Sequence, residues 1–80
     1  MIIEIRVFSS LRNYVQPSDN RLDGDRWDIG EGATVGQALE MLNLPGTGDL
    51  IILVNGHHAN NESVLKKGDV LSVLPPIGGG

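Results

Sequence analysis

From Met1 to Phe8 the chain alternates. Ile3, Ile5 and Val7 fall on one side of an extended backbone, and Ile2, Glu4, Arg6 and Phe8 on the other. This predicts a strand with one core face and one half-polar face. Ser9 to Val15 predicts a short helix, capped by Ser9 or Ser10 and stopped by Pro17. The next residues, to about Arg26, are turn formers, so an exposed acidic loop is expected there. A short strand, Arg26 to Ile29, should follow and end at Gly30 and Gly32. Thr34 stands three residues before Gln37, a capping-box spacing, and Val35, Ala38, Leu39 and Leu42 then form one apolar stripe. A helix is predicted, ended by Pro45-Gly46.

Leu50 to Val54 is apolar on both faces and predicts a buried strand. Asn55-Gly56 is a hairpin signal, with His57 to Ala59 as a brief return strand. Asn60 to Asp69 reads as a loop with room for one helical turn, bending at Gly68-Asp69. The final strand, Val70 to Leu74, should face Val70, Ser72 and Leu74 outward, together with Glu4, Arg6 and Phe8. This order gives an α+β fold, one main helix on one face of a sheet, with a folded domain over 1–75 and a tail over 76–80.

Composition narrows the function. Eighty residues make one domain of modest stability. The absence of cysteine excludes disulfides, thiolate metal sites and a cysteine nucleophile. A net charge of -4 argues against nucleic acid as a partner. No apolar run approaches the roughly 20 residues that span a bilayer. The first residues lack a signal-peptide layout, so no membrane association and a cytoplasmic location are expected.

Several motifs fail on their own chemistry. Asp19, Asp23 and Gly24 imitate a calcium loop, but Arg21 and Gly30 stand where oxygen ligands are required. His57 and His58 are adjacent on a strand and point to opposite faces, which disfavours chelation, so no metal site is expected. Asn61-Glu62-Ser63 is a glycosylation acceptor without a secretory context, and the Pro45 to Asp49 loop lacks the Gly-Lys pair of a phosphate-binding loop. No catalytic triad can be singled out.

What remains is the ending, Pro75-Pro76-Ile77-Gly78-Gly79-Gly80. Prolines are stiff and extended, whereas glycines are expensive to order. A flexible Gly-Gly tail with a reach of about 20 Å from Leu74 is expected. Its three glycines have no side chains and fit a channel too narrow for them. Its reactive group is the Gly80 carboxylate, a poor electrophile until activated, for instance as an acyl-adenylate. The chain has no machinery for that, so a separate enzyme is implied. Alternatively, terminal glycines are simply a frayed end.

In order along almost the whole chain, Val7 to Val15, Ile29 to Pro45, Val54-Asn55-Gly56, Leu65, Gly68-Asp69-Val70, Pro75-Pro76 and the closing Gly79-Gly80 resemble the ubiquitin-like sulfur carriers of the MoaD/ThiS type. The resemblance implies a β-grasp fold, in which the first and last strands are parallel neighbours. It also implies a carrier that is no enzyme itself and binds no cofactor. A partner activating enzyme would use ATP and Mg²⁺ to adenylate Gly80, and a sulfur donor would make the thiocarboxylate. The acceptor would be a synthase subunit, of the molybdopterin synthase large-subunit type or the thiazole synthase type. The two prolines lean toward molybdopterin, with a tungsten-pterin or thiamine pathway open. A protein modifier joined to lysine through Gly80, and an interaction domain with an inert tail, are the alternatives. On this reading Gly79 and Gly80 are the reacting end. Phe8, Leu74, Pro75, Pro76, Ile77 and Gly78 contact the partners, unless Phe8 turns inward and plugs the core.

Overall fold

The computed structural model describes residues 1–44 and 49–76. Six strands form one mixed sheet: β1 (Ile2–Val7), β2 (Arg21–Asp23), β3 (Arg26–Asp28), β4 (Ile51–Val54), β5 (His57–His58) and β6 (Val70–Leu74). Their order across the sheet is β2-β3-β1-β6-β4-β5. A single α-helix, α1 (Val35–Leu42), and a 3₁₀ helix at Ser9–Tyr14 complete the described elements. No helix among the described residues is long and apolar enough to cross a membrane.

The alternation in β1 works as its sequence predicts. Ile3 and Ile5 are buried, and Leu71 and Val73 join them from β6. α1 closes the core over this face. Val35, Ala38, Leu39 and Leu42 are its buried residues, at the spacing of a single helical stripe. The capping box is formed: Gln37 N–H donates to Thr34 Oγ1 at 3.3 Å, and Thr34 N–H to Gln37 Oε1 at 2.9 Å. The loop before β6 satisfies two further helix-end donors. Val35 N–H donates to the Ser63 carbonyl and Gly36 N–H to the Asn61 carbonyl, both at 2.9 Å. A Cβ at Gly36 would lie 3.2 Å from that Asn61 oxygen, so the close approach favours glycine.

Asn55-Gly56 forms the expected hairpin turn between β4 and β5, with φ of +53° and +84°. Asn55 also ties this tip to the start of β6. Its Nδ2 donates to Asp69 Oδ1 at 3.0 Å, and Val70 N–H donates to its Oδ1 at 2.9 Å.

Four expectations need correction. The region from Pro17 to Arg26 is not loop throughout, because Arg21–Asp23 pairs with β3 as a hairpin arm. Backbone pairing and Arg21 over the Trp27 ring, 5.9 Å from its centroid, hold an arm that has no apolar alternation. The 3₁₀ helix is entered from Phe8 without a side-chain cap, and Ser9 is its first residue in place of its cap; the Ser10 side chain lies outside what the structure describes. α1 ends at Asn43, whose left-handed conformation (φ +54°) closes the helix before Pro45. Pro45-Gly46 lies outside the described residues. Finally, Asn60 to Asp69 holds turns and a lone bridge from Val64 to Thr34 in place of a helical turn.

Leu39 is 4% exposed. Leu39→Ala should therefore lower stability by about 2–5 kcal/mol, a large share of what a domain this size has. Urea unfolding measures it, and a midpoint close to wild type would show that α1 is not fastened through this stripe.

Candidate functional site at the end of β6

β1 and β6 are parallel neighbours, in the register Glu4↔Val70, Ile5↔Leu71, Arg6↔Ser72 and Val7↔Val73. The pairing continues by one bond, since Phe8 N–H donates to the Val73 carbonyl at 3.0 Å. Phe8 therefore lies level with Leu74. On the other side of β6, antiparallel β4 sets Ile51 opposite Leu74 and Leu53 opposite Ser72. β5 adds His58 opposite Leu53.

Strand periodicity sorts these residues into faces. Leu71 and Val73 are fully buried and Ile52 is buried, whereas Ser72 and Leu74 are half-buried. Phe8 is 41% exposed, so it does not plug the core. One row on the outer face is thus Ile51, Leu74 and Phe8, and the next is His58, Leu53, Ser72 and Arg6. The first row is apolar and lies where the chain leaves the sheet. Pro75 is half-buried and Pro76 exposed, both outside any strand. Of the expected site residues, Ile77, Gly78, Gly79 and Gly80 lie outside the described residues.

Ile51 and Leu53 were not expected here. The run from Leu50 to Val54 reads as buried on both faces, yet Ile51, Leu53 and Val54 are only half-buried. The signal was present in the element count: one helix covers one face, and a strand apolar on both sides leaves apolar residues on the other.

Charges on the same face lie toward β2 and β3 and are paired. Arg26 donates to both Asp23 carboxylate oxygens, at 3.0 and 2.6 Å, and Arg6 Nε to Glu4 Oε2 at 2.6 Å. The hydrogen bond from Arg26 holds the Asp23 carboxyl below the usual carboxylate range, and the same bond raises the Arg26 guanidinium. An open cavity of about 360 Å³ adjoins Phe8, lined by Arg6, Val7, Phe8, Ser9, Arg12 and Asp25. Ser9, at φ +57°, turns the chain sharply after Phe8. Among the described residues no group of three His, Cys, Asp or Glu is placed to hold a metal. The arrangement is an apolar row, Ile51, Leu74 and Phe8, at the end of β6, with paired charges beside it.

A family model described as the ThiS family matches residues 5–80. Three solved structures are similar over nearly the whole chain. Small archaeal modifier protein 1 from Haloferax volcanii is 24% identical with a TM-score of 0.70, over 95% of this chain and 98% of that one. The Haloferax volcanii HVO 2177 protein is 25% identical with a TM-score of 0.73, over 100% and 87%. A chain in the protein–protein complex of subunits 1 and 2 of molybdopterin-converting factor from Helicobacter pylori is 26% identical with a TM-score of 0.61, each chain covered in full. The fold is the β-grasp type shared with these structures. No curated protein matches the chain.

Because Phe8 is exposed, Phe8→Ala should change the unfolding free energy by about 1 kcal/mol or less, as surface substitutions do. A loss as large as that of Leu39→Ala, measured in the same urea titration, would mean that Phe8 packs inward in solution.

Proposed function

The chain belongs to the ThiS family of small ubiquitin-like carriers, and from that premise we propose that it carries sulfur on the carboxyl group of Gly80. The carboxylate is a poor electrophile and needs activation. An adenylating enzyme supplies it: with ATP and Mg²⁺ the carboxylate becomes an acyl-adenylate and pyrophosphate leaves, and sulfide-level sulfur from a donor then displaces AMP to leave the thiocarboxylate. The acceptor is a synthase subunit, and molybdopterin synthesis (or its tungsten counterpart) is the pathway best supported. The observation that carries the reading is the family match running through residue 80, glycines included. The two prolines before the glycines and the likeness to a chain of the molybdopterin-converting factor complex support the pathway.

The folded body supports the reading in a second way. An adenylating enzyme must grip the carrier while it threads the tail. The Phe8, Leu74 and Ile51 row provides an apolar grip where the tail begins. Phe8 and Leu74 anchor the partner, Pro75, Pro76, Ile77 and Gly78 line its channel, and Gly79 and Gly80 reach the nucleotide. The sulfur rides on Gly80, so the chain needs no thiol of its own.

Intact-mass measurement of protein from its native cell tests the chemistry. A fraction heavier by the difference between sulfur and oxygen is expected. Large adducts, with no such fraction, would mark a protein modifier and overturn the carrier assignment. Gly79→Val should fold normally and fail to be adenylated, because a branched side chain blocks the channel and restricts the backbone. Adenylation at the wild-type rate would remove the narrow-channel argument. Phe8→Ala and Leu74→Ala should each weaken binding to the activating enzyme and to the acceptor, by about thirtyfold for a typical anchor of 2 kcal/mol. Titration calorimetry reads both, and unchanged affinity would place docking elsewhere.

A further inference from the structure

The arginines of this chain are Arg6, Arg12, Arg21 and Arg26. All but one are engaged by their own fold. Arg6 pairs with Glu4, and Arg26 with Asp23. Arg21 Nε donates to the Gly24 carbonyl at 2.8 Å and its guanidinium lies over Trp27. Arg12 differs. It is exposed in the last turn of the 3₁₀ helix, and its side chain makes no hydrogen bond or ion pair among the described residues. It lines the cavity of about 360 Å³ that has Phe8 as another wall.

That placement has a physical consequence once Phe8 is covered. A partner that buries the ring excludes water from the cavity beside it. A guanidinium left there without an acceptor loses its hydration and gains nothing. A partner that brings an acceptor restores what is lost, and a carboxylate matches the planar fork of arginine with two parallel hydrogen bonds. Asp25 lines the same cavity, but no ion pair or hydrogen bond joins it to Arg12 among the described residues.

We propose that Arg12 is a specificity contact of the docking surface, and that the protein it fits presents a carboxylate side chain beside the apolar socket for Phe8. This rests on the docking role proposed above for the tail root. The chain carries a net charge of -4, so its overall field does not draw in an acidic surface. The contact works at short range, setting the register of the docked partner more than its rate of approach.

The test titrates the wild type, Arg12→Glu, Arg12→Lys and Phe8→Ala against the purified cognate adenylating enzyme, at low and high salt. Thermal melting of each variant runs alongside. Arg12→Glu should bind about tenfold more weakly or worse, with an unchanged melting temperature. Arg12→Lys should fall between the two, because it keeps the charge and loses the two parallel hydrogen bonds, and the gap between Arg12→Glu and wild type should narrow at high salt. Affinity of Arg12→Glu within about twofold of wild type overturns the proposal. If that occurs while Phe8→Ala still loses binding, the arginine contact alone is wrong and the docking reading stands. A wild type that the enzyme neither binds nor adenylates removes both.

Discussion

The parallel pairing of β1 with β6 is the contact on which the rest of the structure depends. These strands occupy the middle of the sheet, and Ile3, Ile5, Leu71 and Val73 supply its most buried residues. Parallel neighbours cannot be joined by a tight turn. The intervening chain therefore has to leave the sheet and return, and it adds the β2–β3 hairpin, α1 and the β4–β5 hairpin on the way. Direction matters as much as adjacency. Because both strands run the same way, their C-terminal ends meet at one margin, which brings Phe8 level with Leu74. An antiparallel pair would have set Ile2 or its neighbours there.

A second constraint is the supply of helix. α1 has eight residues, a length of about 12 Å, and it covers one face of the sheet. The outer face has to be tolerable in water without such cover. Two devices divide that face. Toward β2 and β3, Asp23, Arg26, Glu4 and Arg6 are paired among themselves, which contributes little stability but keeps the surface hydrated. Toward the tail, Ile51, Leu74, Phe8 and Leu53 stay apolar. Apolar residues of that face thus stand at the margin where the chain leaves the sheet, and Ile2 and Val70 stand at its opposite end.

Features decided by neighbouring residues were legible in the sequence. The alternation of β1 and β6, the stripe and capping box of α1 and the Asn55-Gly56 turn each depend on spacing over a few positions. Features decided by distant partners were not. Arg21–Asp23 looks like loop because its pairing is to the β3 backbone and its best side-chain contact is with Trp27. Ser9 looks like a cap, but the end of the β1–β6 ladder holds Phe8 in extended backbone and forces the turn onto Ser9. Ile51 and Leu53 looked buried because apolar character says nothing about which face has a cover. In the candidate site, Phe8 and Leu74 could be found from periodicity, whereas Arg12 stands out only after the other arginines are seen to be occupied.

The prolines link the body to the chemistry assigned to the tail. A strand lengthens only while each residue can offer its N–H to a neighbour. Pro75 and Pro76 have none, so β6 stops at Leu74 although β1 continues its pairing to Phe8 and β4 reaches Ile51 on the other side. The ladder is cut at the apolar row and not beyond it. Had residue 75 been an ordinary β former, the sheet could have extended and carried the first tail residues into its own hydrogen bonds. The row would then have moved away from the point of release, and the chain available to an enzyme would have been shorter. Ending the strand there fixes two quantities together: the position of the grip and the number of residues past it. On the proposed reading, a partner that closes on Phe8 and Leu74 meets the carboxyl end six residues on, of which the last three are glycines with no Cβ to obstruct a narrow passage.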